Sequence, residues 1–477
     1  MIFYDMIYRN FFIVILAFFS LNTFGQEIPA EVETEIQRRT QLEINPSMSI
    51  GLLLPGGETR FYNYGKLDDS GKKADSLTFY EIGSITKTFT AYLAKEYLQE
   101  DLNTSLAFFF PEIKNKALQN TKIFQLRNHT SGVPRLSDNF SPANWADPYQ
   151  DYSNEKLNTE LEDLKFVADS LKSWSYSNFG YGILGRTIEK KTGKDFESLM
   201  GDFLDEAGLK KTVFDHSSLK DAELATPTNI GIKNFYWHLN GPSKYAGALI
   251  SNTSDLIEYL KFQKRNNEIF SSELISEAIP TGIRNMGHGE LYFKEGWFIM
   301  KPEPGTEILI HNGGTGGFTS FTGYNKSTGT GVVILSNSVS LNDDIGLKLI
   351  YPEFNLNRPQ RSIAYDLAEF IEMGKTEDLL SRYKNMKNEG KLVKIVDIYW
   401  LERLNYGKGN WEVSDQLSDI MVLELPEDWE VWDIKGQNKE RLQDYESAAE
   451  AYQKALGLAP DNAQLQRKIE KVEKQLN

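Results

Sequence analysis

In the stretch FYEIGSITKTFTAYLAKEYLQE, residues 79–100, Ser84 stands three residues ahead of Lys87 at the start of a segment with helical character. Residues three apart on a helix share a face, with β-carbons about 5–6 Å apart, so the lysine amine can reach the serine hydroxyl. Such a pair could carry nucleophilic acyl transfer, the hydroxyl attacking a carbonyl while a neutral amine takes its proton. A lysine amine titrates near 10.4, and bringing it to neutrality takes roughly 4 kcal/mol of burial and neighbouring positive charge. The spacing alone is common, and recurs at Ser70, Ser153, Ser217 and Ser381. Those copies lie in polar stretches such as DDSGKKAD and DHSSLK, where neither effect is expected. Ser84 instead follows a strand-like approach, FYEIG, and Gly83 permits a sharp turn into a helix whose first residues would be Ser84 to Lys87. A helix N-terminus presents free amides and positive potential to a developing oxyanion.

Two further stretches carry matching chemistry. WSYSNFGYGILGRTIEKKTGKDFESL places Tyr176, Ser177 and Asn178 directly before an apolar helix, where a phenol and a carboxamide can project from a loop into a cleft. A phenol beside a lysine relays protons, and a carboxamide both donates to and accepts from a peptide-like substrate. The same tripeptide at Tyr152 to Asn154 lacks the apolar helix and reads as a decoy. In ILIHNGGTGGFTSFTGYN, His311 and Gly313 end a strand-like run and open a glycine-rich connection, where backbone amides can approach a substrate closely. A phosphate-binding loop is excluded, because no Gly-Lys-Ser/Thr follows. The KTG at Lys191 to Gly193 closes a helix, with Gly193 as its cap.

The elements that must hold these residues follow from the pattern. Two strand-like runs flank Gly56-Gly57 as a β-hairpin, and strands return in EGWFIMK, TEILIHN, FTSFTGYN and GTGVVILSN, with helical patches between. That order predicts an α+β domain whose sheet is assembled from both ends of the chain segment and carries an inserted helical lobe. Beyond about residue 355 helical periodicity takes over. Residues 410–428 align with 444–462 at an offset of 34, matching Trp411 to Tyr445 and Pro426 to Pro460. This is the tetratricopeptide period, and the segment 429–462 resembles that repeat best, with Trp432, Gly436, Ala448, Tyr452, Ala455 and Pro460 at its favoured spacings. The expected division is a signal peptide over 1–25, a hydrolase domain over 26–350 and a helical tetratricopeptide-like domain over 351–477.

Bulk properties narrow the partners. A net charge of -15 shows no basic stripe for nucleic acid. The absence of cysteine excludes disulfides, thiolate nucleophiles and cysteine-held zinc. Arg9 precedes FFIVILAFF, followed by SLNTFGQ, which reads as a secretory signal cleaved near Gly25; the run is too short to span a bilayer comfortably. A periplasmic or secreted protein without a stable membrane anchor is expected.

With the three elements in this order, the chain resembles the serine β-lactamase and penicillin-binding protein superfamily, in the branch of class C β-lactamases, D-alanyl-D-alanine carboxypeptidases, D-aminopeptidases and related esterases. The resemblance covers about residues 35–350 and rests on FYEIGSITKTFTAYLA, IFQLRNHTSGVP, WSYSNFGYGILG, YAGALISNTSDLIEYL, EGWF and HNGGTGGFTSFTGY. It implies a β-lactamase/transpeptidase-like fold with an antiparallel sheet, in which Ser84 forms an acyl-enzyme, Lys87 takes part in its activation and Tyr176 shuttles protons. Asn178 would hold a substrate amide, His311 would take the place of the family's Lys-Thr-Gly lysine, and the Ser84 and Gly314 amides, beside Gly313, would form the oxyanion hole. No metal or organic cofactor is implied. Because His-Asn-Gly replaces Lys-Thr-Gly, recognition of a β-lactam or terminal carboxylate is expected to be weaker, and a small ester, D-amino-acid peptide or amide, or peptidoglycan stem is the expected substrate. The rival expectation is a catalytically silent sensor or scaffold whose helical tail binds a protein partner; the tail could also simply pack on and stabilise the hydrolase. His129 is read as a structural cap, His216, His238 and His288 as scattered residues rather than metal ligands, and Trp297 as core packing beside the site. The GxSxG elbow of α/β-hydrolases is absent.

Overall fold

The structure is a computed structural model that describes residues 28–476, apart from 69, 138, 143, 165–172, 221–222, 273–274 and 285–288. The N-terminal apolar run and His288 lie outside the described residues.

The hairpin around Gly56-Gly57 supplies β1 (Ser47–Leu53) and β2 (Thr59–Gly65), paired from Ser47↔Gly65 to Leu53↔Thr59. Six more strands come from the far end of the domain: β3 (Ile279–Arg284), β4 (Glu290–Lys294), β5 (Trp297–Met300), β6 (Ile308–Gly314), β7 (Thr319–Asn325) and β8 (Thr330–Ser336). Together they form one 8-stranded antiparallel sheet in the order β2-β1-β8-β7-β6-β5-β4-β3, with Met48 of β1 opposite Ser336 of β8. The sheet is thus built from both ends, with the helical lobe inserted between. Strand alternation explains how it is covered on two sides. Met48, Ile50, Leu52, Val332 and Ile334 face a core shared with the helices Ala30–Gln41 and Asp343–Ile350, while Leu53, Val333 and Leu335 face the larger core of the helical lobe. Buried Arg39 ties the ends together, donating from Nη2 to Asp344 at 2.6 Å and from Nε to Glu35 at 2.8 Å.

Strands β3 and β4 had no signal in the sequence reading. Pro280 and Gly282 interrupt β3, and the register shifts between Pro280 and Arg284, irregularities tolerated at a sheet edge.

From Ile363 to Leu476 every regular element among the described residues is a helix. Ile395–Lys408, Trp429–Arg441 and Ala463–Leu476 begin 34 residues apart, as do Trp411–Glu424 and Tyr445–Leu458, so the sequence period is the repeat of a helical hairpin. Gly436 marks a close crossing: a Cβ there would lie 2.5 Å from the Tyr452 ring, over a seam filled by Ala448 and Ala455. Gly436→Ala should therefore destabilise the tail by about 1–3 kcal/mol through overpacking, read as a lower midpoint in thermal unfolding. An unchanged midpoint would show the seam to be loose.

Candidate active site

Ser84 sits where a strand becomes a helix. Tyr80–Glu81 pairs with Ile250–Ser251, Gly83–Ile85 makes one 3-10 turn, and the α-helix runs from Thr86 to Leu98. The nucleophile thus precedes the α-helix instead of opening it, a correction to the sequence reading; Gly83, at φ 49, tightens the chain before α geometry begins. Ser84 is half-buried and Lys87 fully buried. Lys87 Nζ lies 3.0 Å from Ser84 Oγ and donates to the Ala246 carbonyl at 2.7 Å. Burial, reinforced by the positive charge of Arg135, holds the amine well below the usual lysine range. A neutral base is what proton abstraction from the serine requires.

Tyr176 comes from the loop ahead of the helix Asn178–Thr192, and its phenol is hydrogen-bonded to Ser84. Lys87 Nζ lies 4.9 Å from its ring centroid. Burial pushes the phenol up to about 12, so it keeps its proton at neutral pH. His129 supports this loop. Its buried ring lies 4.5 Å from the Tyr176 ring, and its Nδ1 accepts the Ser177 N–H at 3.1 Å. Its role is structural, as read, but not as a helix cap: Asn128 ends the preceding helix, and His129, at φ 57, turns its ring beneath the tyrosine. The Asn178 N–H donates to the Arg135 carbonyl at 3.0 Å. Its side-chain Oδ1 is buried with no hydrogen-bond partner among the described residues, an acceptor still to be satisfied.

His311 lies in β6, 1% exposed. Its Nδ1–H donates to the Asn312 carbonyl at 2.7 Å, leaving Nε2 as an acceptor without a partner among the described residues. Burial and the nearby Lys87 bring its pKa down to about 3, so the ring is neutral. Asn312 gives its side-chain N–H to Asp343 at 2.6 Å. Where β6 ends, backbone crosses backbone. A Cβ on Gly313 would fall 2.0 Å from the Ile82 carbonyl oxygen and 2.9 Å from the Ser84 nitrogen, and one on Gly83 would fall 2.7 Å from the Gly314 nitrogen. The Ser84 and Gly314 amides, expected to form the oxyanion hole, therefore border one crossing.

Comparison with known proteins fits this geometry: the β-lactamase family model matches residues 45–349. The chain belongs to the β-lactamase family. It is 29% identical over 271 residues to a β-lactamase of Providencia stuartii, a match spanning 55% of this chain and 66% of that one. Among solved structures it resembles a class C β-lactamase in complex with cefoxitin (TM-score 0.54, 22% identity, 67% of this chain and 96% of that one). It also resembles the D-amino acid amidase of Ochrobactrum anthropi SV3 (TM-score 0.53, 21% identity, 64% of this chain and 92% of that one). The chain thus falls in a serine β-lactamase-related enzyme family with class C-like relatives, and its fold is the β-lactamase/transpeptidase fold followed by an all-helical tail.

The remaining motifs of this β-lactamase-family protein have other tasks. Tyr152 shares a hydrogen bond with Ser137, and Ser153 caps Asn154–Asp163, a helix the sequence reading did not foresee at that copy. Gly193 ends its helix in the left-handed region. Trp297 is fully buried in the core, stacked on Tyr259 and edge-to-face with Phe270. His216 and His238 are not scattered: their rings lie 5.3 Å apart, His216 bonded to Glu81 at 2.9 Å and His238 to Asp147 at 2.6 Å. Among the described residues no group of three or more His, Cys, Asp or Glu is arranged to hold a metal ion. The Asp147 segment also straps the tail to the cleft wall. Arg403 of the tail lies over the Trp145 ring at 5.8 Å, and Gly407 abuts Ala146 closely enough that a Cβ would fall 2.4 Å away. Ala146 accepts the Trp237 indole N–H at 3.1 Å, and that indole packs on Gly316, two residues past the end of β6.

Arg135, Ala246 and the supporting role of His129 escaped the sequence reading. The signal for His129 and Arg135 is their shared segment, HTSGVPR, whose Pro134 carbonyl accepts the Ser177 hydroxyl at 2.6 Å.

Proposed function

We propose that this protein is an exported serine hydrolase that forms an acyl-enzyme at Ser84 and acts on a small ester, a D-amino-acid peptide or amide, or a peptidoglycan-derived peptide. One observation carries the reading: a half-buried serine hydroxyl is hydrogen-bonded both to a lysine amine that burial holds well below its usual range and to a phenol that burial keeps protonated. In the forward step Ser84 Oγ–H gives its proton to Lys87 Nζ as the bond from Oγ to the carbonyl carbon forms. The oxyanion draws on the Ser84 and Gly314 amides. Tyr176 then passes its proton to the leaving group as the carbonyl–leaving-group bond breaks, and recovers one from Lys87. Water repeats the cycle on the ester. Neutral His311 in place of a lysine favours these substrates over β-lactams, and the amidase relative supports amide chemistry. The tail, with its 34-residue period, is tetratricopeptide-like in this reading, and its strap to Trp145 and Ala146 makes it a brace for the cleft rim.

Turnover of p-nitrophenyl butyrate, D-alanine p-nitroanilide and nitrocefin by the wild type and Ser84→Ala tests the proposal. Serine-dependent release from the ester or anilide, exceeding that from nitrocefin, is expected; turnover surviving in Ser84→Ala overturns it. The pH profile has a definite sign. kcat/KM should rise with pH as Lys87 loses its proton, with no histidine step near 6.5, because burial keeps His311 at about 3 and His129 well below its ordinary value. A kcat/KM that falls as pH is raised from acid toward neutrality would contradict a lysine base.

A further inference from the structure

The catalytic end of β6 has a strand neighbour on one side only. Its ladder with β5 stops at Ile310↔Phe298, whereas its ladder with β7 runs on to Gly314↔Thr319. Residues 311–314 are the ones that present His311 and the Gly314 amide, and Gly313 and Gly314 have no side chains to pack. A Cβ on Gly313 would point at the Ser84 nitrogen, 2.9 Å away, so the face of β6 that bears His311 and Gly313 is the one turned to the nucleophile. An amide that stabilises an oxyanion must be in place before the charge develops, so this end of the strand needs a further anchor.

Asn312 supplies one. Side chains alternate along a strand, so Asn312 projects from the opposite face, beside its cross-strand partner Phe321, which packs with Ile345 in the core shared with the helix Asp343–Ile350. There the Asn312 Nδ2–H donates to Asp343 Oδ2 at 2.6 Å. Burial pushes the Asp343 carboxyl up to about 6, so it is ionised at neutral pH and the bond is charge-assisted. Asp343 is itself well fixed. Its helix is fastened to the core by Ile345, Leu347, Leu349 and Ile350, and the adjoining Asp344 is bound by buried Arg39. The Asn312 carbonyl at the same time accepts the His311 Nδ1–H at 2.7 Å. One residue thus joins the imidazole on the catalytic face to a helix on the other face.

We propose that Asp343 is a positioning residue for acyl transfer, holding through Asn312 the singly paired end of β6 so that the Gly314 amide meets the oxyanion. The inference rests on the acyl-transfer reading above and adds to it a carboxylate on the face of the sheet turned away from Ser84.

The test compares p-nitrophenyl butyrate with its thiono analogue, in which sulfur replaces the carbonyl oxygen. Sulfur is a weak hydrogen-bond acceptor, so the oxo-to-thiono ratio of kcat/KM reports how well the oxyanion donors are placed. Asp343→Ala should lower kcat on the oxo ester by about 10- to 10²-fold with KM little changed, and the oxo-to-thiono ratio should fall with it. Asn312→Ala removes the same bond without touching the helix, so the test stands even if Asp343→Ala unfolds. It should give the same loss, and the double variant should lose no more than either single one, because the two residues act through one bond. Asp343→Asn, whose carboxamide oxygen still accepts the Asn312 N–H, should recover most of the rate. Unchanged kcat in folded Asn312→Ala, a loss shared equally by the two esters, or single losses that multiply in the double variant would overturn the assignment while leaving acyl transfer standing. If the wild type turns over neither ester in a Ser84-dependent way, the acyl-transfer reading fails and this inference falls with it.

Discussion

Replacing Lys87 with methionine should lower kcat/KM by about 10³-fold or more, with Ser84 present but without its base. Methionine fits because it fills most of the volume of a fully buried side chain without a charge. The same substitution bears on stability, and the sign can be worked out. Burial holds the folded-state pKa of Lys87 well below the ordinary 10.5, so over the window between the two values the unfolded chain binds a proton that the folded chain does not. Unfolding is therefore favoured in that window, and the penalty shrinks as pH rises toward 10.5. Methionine carries no such penalty. At neutral pH Lys87→Met should melt no lower than the wild type, and the gap between them should move in favour of the wild type as pH is raised. Retained activity in a folded Lys87→Met would remove lysine from the mechanism.

The second large effect belongs to Tyr176→Phe. The ring keeps its place over His129 and its stacking at 6.4 Å on Phe298, so the fold should be unaffected. What disappears is the hydroxyl bonded to Ser84, and with it the proton for the leaving group. A loss of about 10²–10⁴-fold in kcat/KM is expected, largest for poor leaving groups, which need the proton most. Steady-state kinetics beside a melting curve checks it; an equal loss on good and poor leaving groups would assign Tyr176 a positioning role instead.

Which parts of this architecture could be read from sequence depends on how local their physics is. The β1–β2 hairpin and strands β5 to β8 are continuous apolar runs with turn residues between, so periodicity finds them. Strands β3 and β4 depend on pairing at an edge that tolerates Pro280 and a register shift, and no local pattern marks that. The proximity of Ser84 and Lys87 is a helical spacing and needs no tertiary information. Tyr176 meets them only because His129 and Arg135, more than forty residues earlier in the chain, hold its loop by backbone hydrogen bonds. The charge state of His311 is equally non-local. Its type alone leaves the charge open near neutrality, whereas burial in β6 beside Lys87 makes it neutral. The tail's period was visible as a 34-residue offset, but its strap through Arg403, Trp145 and Ala146 crosses domains and has no sequence signature.

The central claim is that Ser84 is the nucleophile, and covalent trapping tests it most directly. A fluorophosphonate ester loses fluoride to an attacking serine oxygen and leaves a stable phosphonyl adduct, so intact mass followed by peptide mapping locates the nucleophile. The account predicts one adduct, on the peptide that contains Ser84, strongly slowed in Lys87→Met and absent in Ser84→Ala. An adduct on another serine, or one that persists in Ser84→Ala, would contradict it.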